Sequence, residues 1–430
     1  MRKIFCIIMI ISLFLIPSLG FAEIGNYSIE EIEEKFSFVN DPTLFTIMAF
    51  VNHTGYDYEH NKNEMYYVRQ QIRSELEEMN LNLENSNYYS DYPYFITNYS
   101  KLLTYIGSPP IFSTVNSSWM PNITDRLNEF YQEANIEYLY EKYNLEYQTV
   151  IEEYENGGYP IIQNTINYFN INLDDSKSFF ACINLLDSCN LGYVIALASD
   201  TINANWLSIG PSGTPYYGLV IHEYFHTVEG PIIEASVESR ALEDILLAKY
   251  GPPKLSGVNS LYKTWQMIIR ESIVRAIAYW AVIDFQYSEE QIASMIDRQT
   301  RKGFILTRFI YERIDTFDDY GTVEEWIKAL LIEYTNALDS IKPLAPTLTV
   351  STDNTTVSLS WTSIPNAIGY NLVYAPYPYE GAHTINSIDL RNEITLSATL
   401  PKGSAFYVTI QAYNEVGESE YSNIELLVIQ

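Results

Sequence analysis

The sequence predicts an α+β chain: a mainly helical domain with a small sheet over residues 23–342, then an all-β sandwich over residues 343–430. Three observations carry this division. Ahead of Lys342, apolar residues recur at helical spacing behind frequent helix-start signals. Between about Ser178 and Ile209, short apolar runs read as strands. After Pro343 the pattern turns to two-residue alternation punctuated by turn residues, as in Val357, Leu359 and Trp361 and again in Phe406, Val408, Ile410 and Ala412.

Residues 1–22 stand apart from this scheme. Arg2 and Lys3 precede an apolar run from Ile4 to Ile16, followed by Pro17 and the small residues Gly20 and Ala22, which is the pattern of a secretory signal peptide. The run falls short of the roughly 20 residues a membrane span requires. The expectation is a secreted protein, extracellular or periplasmic, that begins near Glu23. Downstream, Ser28 with Glu31 forms a capping box, and Asp41 caps a helix that opens on Pro42. Leu127, Phe130, Tyr131, Ala134 and Tyr138 predict one amphipathic helix over 125–143. Ser108-Pro109-Pro110 and Asn156-Gly157-Gly158 are expected to interrupt helices. Cys182 and Cys189 remain once Cys6 leaves with the signal. They flank what reads as a short connection between two strands, so a disulfide is expected.

Composition bounds the function. The chain has 430 residues, 47% hydrophobic and 18% charged, which is the globular class. A net charge of −29 excludes nucleic acid and anionic lipid as partners, since neutralising phosphates needs clustered Lys and Arg. No segment beyond the signal is expected to cross a membrane.

The chemistry is concentrated in His222-Glu223-Tyr224-Phe225-His226. On a helix, residues four apart share a face, so both imidazoles can grip one metal ion while Glu223 lies beside it as general base. Thr214 and Pro215 are expected to start this helix and Gly230-Pro231 to stop it. A strand edge beside such a helix could hold an extended peptide across the metal. Residues 203–209 and 192–198 are both candidates for it.

A catalytic zinc takes three protein ligands and leaves one position for water. His53 and His60 lie in polar surroundings and His383 belongs to the sandwich, so an acidic third ligand is favoured among Glu229, Glu234, Glu238, Glu243 and Glu271. Glu271 sits in a segment, 265–280, that is apolar on nearly every face. A buried carboxylate there needs compensation beyond an i, i+4 ion pair with Arg275. Glu271 is therefore the expected ligand and Glu243 the alternative. Arg275, Tyr279 or Tyr217 would stabilise the oxyanion, with Tyr279 preferred because it follows Glu271 by about two turns.

Two resemblances add to this reading. Pro346, Trp361, Gly369–Tyr374, Leu400–Phe406 and Ala412–Ser419 resemble a fibronectin type III domain, with Phe406 where such domains carry a tyrosine. Asn40–Met48, Leu219–His226 and Arg270–Ile277 resemble a family of secreted, mostly bacterial proteins of unknown function with a gluzincin-like active site. That resemblance implies a zincin-like catalytic core and again points to Glu271 as third ligand. The expected function is a secreted zinc metallopeptidase that cleaves peptide or protein substrates through a zinc-activated water, with Glu223 as base. Its sandwich would bind a surface or polymer. The competing expectation is a non-catalytic secreted binding or adhesion protein whose zinc site is structural or vestigial.

Overall fold

The computed structural model describes residues 27–429 except 57–58, 60–63, 80, 82–108, 113–122, 175–176, 197–203, 254, 256–261, 284, 341 and 365. The expected signal peptide, His60 and Ser108 lie outside the described residues.

The first part opens with α1 (Ile29–Lys35), whose Ser28–Glu31 capping box is present, and β1 (Phe36–Val39). Next comes α2 (Pro42–His53), where Asp41 accepts a hydrogen bond from the Leu44 amide at 2.7 Å. It is followed by α3 (Tyr67–Glu78), α4 (Ile123–Glu133), α5 (Ile136–Lys142) and α6 (Asn144–Tyr168). The helix expected over 125–143 is thus two helices, because Asn135 adopts a left-handed φ of 46° between them. Conversely, α6 runs unbroken through Gly157-Gly158 and Pro160. Those glycines serve close approach: a Cβ on Gly157 would lie 2.3 Å from the Tyr217 ring, and one on Gly158 2.7 Å from that of Phe38.

A four-stranded sheet forms one floor of this part. β2 (Ser178–Ile183), β3 (Gly192–Ala196) and β4 (Ala204–Ile209) join β1 in the order β1-β2-β4-β3. β1, β2 and β4 are parallel, while β3 is an antiparallel edge strand. β1 escaped the sequence reading, since four residues are too few for a periodic signal. The strand order also corrects the expected disulfide. Cys182 lies buried in β2 while Cys189 lies in the turn ahead of β3, with β4 inserted between those two strands, and both are free thiols.

Further on come α7 (Tyr217–Ala235), α8 (Val237–Tyr250), α9 (Trp265–Val282), α10 (Glu289–Arg301) and α12 (Val323–Ala337), with the short α11 (Thr307–Tyr311) between the last two. α7 packs along α9 and against the sheet. Its anchor is Tyr224, edge-on at 5.1 and 5.2 Å to the stacked rings of Phe36 and Phe179. Phe225 meets Phe169 on the other side at 5.5 Å. The two middle residues of the histidine motif are therefore core residues, which fixes the helix rotation and turns its polar face away from the core.

The second part is a two-sheet sandwich with its own core. β5 (Leu348–Asp353), β6 (Thr356–Trp361) and β9 (Thr395–Thr399) form one sheet. β7 (Gly369–Pro376), β8 (Asn386–Asp389), β10 (Ala405–Asn414), β11 (Gly417–Glu418) and β12 (Glu425–Val428) form the other. Leu359, Trp361, Leu372, Val408, Ile410 and Leu427 fill the space between them. This α+β division follows the alternating patterns read from the sequence.

Candidate metal centre

α7 starts at Tyr217 without a side-chain cap and continues through Gly230-Pro231 to Ala235, so the expected start and stop signals do not bound it. Gly230 instead lets a side chain from α9 cross: a Cβ there would meet Arg270 Nη2 at 2.7 Å. With its rotation set by Tyr224 and Phe225, α7 points His222 and His226 to one side, ring centroids 4.9 Å apart and nearly perpendicular.

α9 brings Glu271 against them. His222 Nε2 lies 3.6 Å from Glu271 Oε2 and His226 Nε2 lies 3.3 Å from Glu271 Oε1. One donor atom from each residue falls within 4.8 Å of the others. Two imidazoles and a carboxylate at this spacing are a donor set that could hold a divalent metal ion. Among the other acidic candidates, Glu243 faces the Gln266 amide at 3.4 Å, Glu234 meets Arg270 at 3.3 Å and Glu238 accepts from Ser236 at 2.8 Å.

Glu229 takes a different role. It is fully buried, and its Oε1 lies 2.9 Å from His226 Nδ1 and 3.0 Å from Arg270 Nε. An imidazole that donates through Nδ1 keeps the Nε2 lone pair for a metal. Arg270 precedes Glu271, so the contact also ties the two metal-facing helices together in register. The two imidazoles are shifted in opposite directions. Burial alone would lower the His226 pKa, but hydrogen bonds to Glu229 and Glu271 outweigh it and push the value up to about 10. His222, where burial dominates, falls to about 3. Burial would raise Glu271, yet the Arg275 guanidinium and the two imidazoles hold it well below the usual carboxylate range.

Glu223 lies beside the trio, 4% exposed, with Oε1 3.9 Å from His222 Nε2. Burial pushes its carboxyl up to about 8, and a cation held by its neighbours would lower it. The edge strand β3 passes close by: a Cβ on Gly192 would meet Glu223 Oε1 at 2.9 Å. β4 is paired on both sides, whereas among the described residues β3 is an edge strand of the sheet.

Arg275 backs Glu271. Its Nη2 donates to Glu271 Oε2 at 2.8 Å and its Nη1 to Gln299 Oε1 at 3.4 Å, and the guanidinium lies 4.1 Å over the Phe304 ring. Tyr262, just ahead of α9, is buried close enough to Arg275, Glu271 and Glu223 to interact with them electrostatically, and burial pushes its phenol well above the usual range. Sequence reasoning missed it, since nothing sets it apart among 37 tyrosines. Tyr279 is buried near Arg275, Tyr216 and Tyr287. Tyr217 is held elsewhere, its hydroxyl donating to the Glu153 carbonyl at 3.0 Å and its ring edge-on to Tyr154. His53 packs beside Phe130 at 5.7 Å, and His383 lies in a short 3-10 turn of the sandwich.

No family profile matches the chain, and no curated protein sequence matches it. Solved structures of fibronectin type III domains match about a fifth of it. The chicken CNTN1 FN1-FN3 domains share 18% identity over 21% of this chain and 31% of that one, with a TM-score of 0.19. The chain thus spans about a third of that fragment. The FN3 domain of human collagen XX shares 22% identity over 21% of this chain and 92% of that one, with a TM-score of 0.17.

Proposed function

We propose that the protein is a secreted zinc metallopeptidase. The observation that carries this is the convergence of His222, His226 and Glu271 from two helices, with the buried carboxylate of Glu223 beside them. When bound, zinc supplies Lewis-acid polarisation of a carbonyl and a water acidic enough to act as nucleophile near neutral pH. Glu223 accepts the proton of the attacking water and passes it to the departing amine. Glu229 keeps His226 in the ligating tautomer. Arg275 orients Glu271, and the hydroxyl of Tyr262, which interacts with Glu271 and Glu223, is the candidate donor to the carbonyl oxygen as charge develops on it, with Tyr279 near Arg275. An extended peptide would lie along the outer side of β3, an edge strand among the described residues, and Gly192 leaves room for it beside the base. The sandwich spaces the enzyme or holds it near polymeric substrate.

The test combines metal analysis with turnover of a mixed peptide library. Wild type should hold one zinc and cleave; Glu223→Gln should keep the zinc and lose about 10²–10⁴-fold in rate. A wild type that holds zinc but cleaves nothing would shift the reading to a non-catalytic binding protein. One that holds no metal ends both.

A further inference from the structure

Among the described residues no hydrogen bond reaches the Glu223 carboxylate, whose ion-pair contact is His222 Nε2 at 3.9 Å. Glu229 and Glu271, by contrast, are each tied to an arginine, at 3.0 and 2.8 Å. Packing therefore decides where the base sits. That packing comes from β3. A Cβ on Gly192 would lie 2.9 Å from Glu223 Oε1, 3.0 Å from Glu223 Cγ and 2.9 Å from Leu219 Cδ1, one turn earlier on α7. The base thus occupies the volume that any other side chain at 192 would fill. Neither a turn nor a left-handed φ asks for glycine here, since Gly192 opens a strand and its φ is not positive. The strand is held in place as well. Gly192 and Tyr193 pair with Ile209 and Ser208 of β4, the Gly210 amide donates to the Leu191 carbonyl at 2.7 Å, and the Asn190 amide donates to the Pro211 carbonyl at 2.8 Å. Tyr224 and Phe225 anchor α7 on the other side. The ends of Glu223 and Leu219 are then the groups free to turn, so a methyl at 192 would be accommodated by displacing the carboxylate.

We propose that Gly192 is a positioning residue for the reaction: its bare Cα leaves the seat in which the general base Glu223 is held beside His222, His226 and Glu271. The proposal rests on the metallopeptidase reading. In the zinc-loaded full chain, Gly192→Ala should keep its zinc and its KM for a peptide that wild type cleaves. It should lose about 10²-fold in kcat, the effect of misplacing a reacting group by about 1 Å. A kcat equal to that of wild type overturns the proposal and leaves the metallopeptidase reading intact. The decisive comparison is a double-mutant cycle with Glu223→Gln. Once the base is gone, alanine at 192 should have nothing left to displace, so Glu223→Gln/Gly192→Ala should turn over no more slowly than Glu223→Gln alone. A separate loss in that background would mean that the methyl acts on the peptide shelf or the fold, and it too overturns the proposal. Should Gly192→Ala fail to hold zinc, Gly192→Ala/Leu219→Ala gives the methyl room on the leucine side only. A kcat loss that persists there supports the proposal, whereas full recovery assigns the effect to Leu219 and overturns it. A wild type that holds zinc but cleaves nothing removes the metallopeptidase reading, and the role of Gly192 with it.

Discussion

The two parts of the molecule bury different things. In the helical part, Arg69, Asp187, Glu223, Glu229 and Glu271 all lie below the surface, whereas the buried polar residues described in the sandwich are the neutral Thr409, Ser419 and Ser422. Each buried charge opposes folding unless paired and hydrogen-bonded, so a domain selected for stability alone has little reason to hold several. The sandwich has the core of a scaffold. The helical part carries groups whose stabilisation depends on one another, and around Glu271 the proposed metal ion would join them.

Glu271→Ala should break this contrast hardest. It removes a ligand and leaves Arg275, with a side chain only 19% exposed, without its carboxylate. The expected loss is about 3–5 kcal/mol, confined to the helical part. Calorimetry on the full chain should show the transition of that part falling while that of the sandwich stays put. A common shift of both would mean the parts unfold as one unit. Glu229→Gln probes the same region more gently. The amide keeps the shape but weakens the hold on His226 Nδ1 and Arg270, so zinc affinity should fall about 10–100-fold in a competition titration with a chelator. Unchanged affinity would make Glu229 only a helix clamp.

Much of the site was legible because it obeys local rules. His222 and His226 are four apart on a helix, and Glu271 is a carboxylate in an otherwise apolar segment; both facts survive without tertiary information. The sandwich was legible for the same reason, since alternation in β6 and β10 marks the buried face directly. What escaped depends on the packing order of distant elements. Cys182 and Cys189 looked like partners, but β4 separates the strand of the first from the turn and strand that follow it, and the two remain free. Tyr262 reaches the site from a stretch with no period of its own. Gly230 read as a helix stop because nothing in the sequence says that Arg270 crosses it.

Gly157 gives the smallest effect and the cleanest sign. If the glycine pair broke a helix, Gly157→Ala would stabilise the protein by up to about 1 kcal/mol, because alanine is the better helix former. In α6 the position lies inside a continuous helix, and the new methyl would meet the Tyr217 ring at 2.3 Å. That ring cannot simply swing aside: its hydroxyl is bonded to the Glu153 carbonyl, and its edge meets Tyr154 and Phe285. Overpacking of this kind costs about 1–3 kcal/mol, so the net effect should be a loss of roughly 1 kcal/mol in chemical denaturation. Tyr217→Ala in the same chain removes the obstacle, and alanine at 157 should then become neutral or stabilising. A loss that persisted in the double variant would mean that something other than Tyr217 demands the glycine.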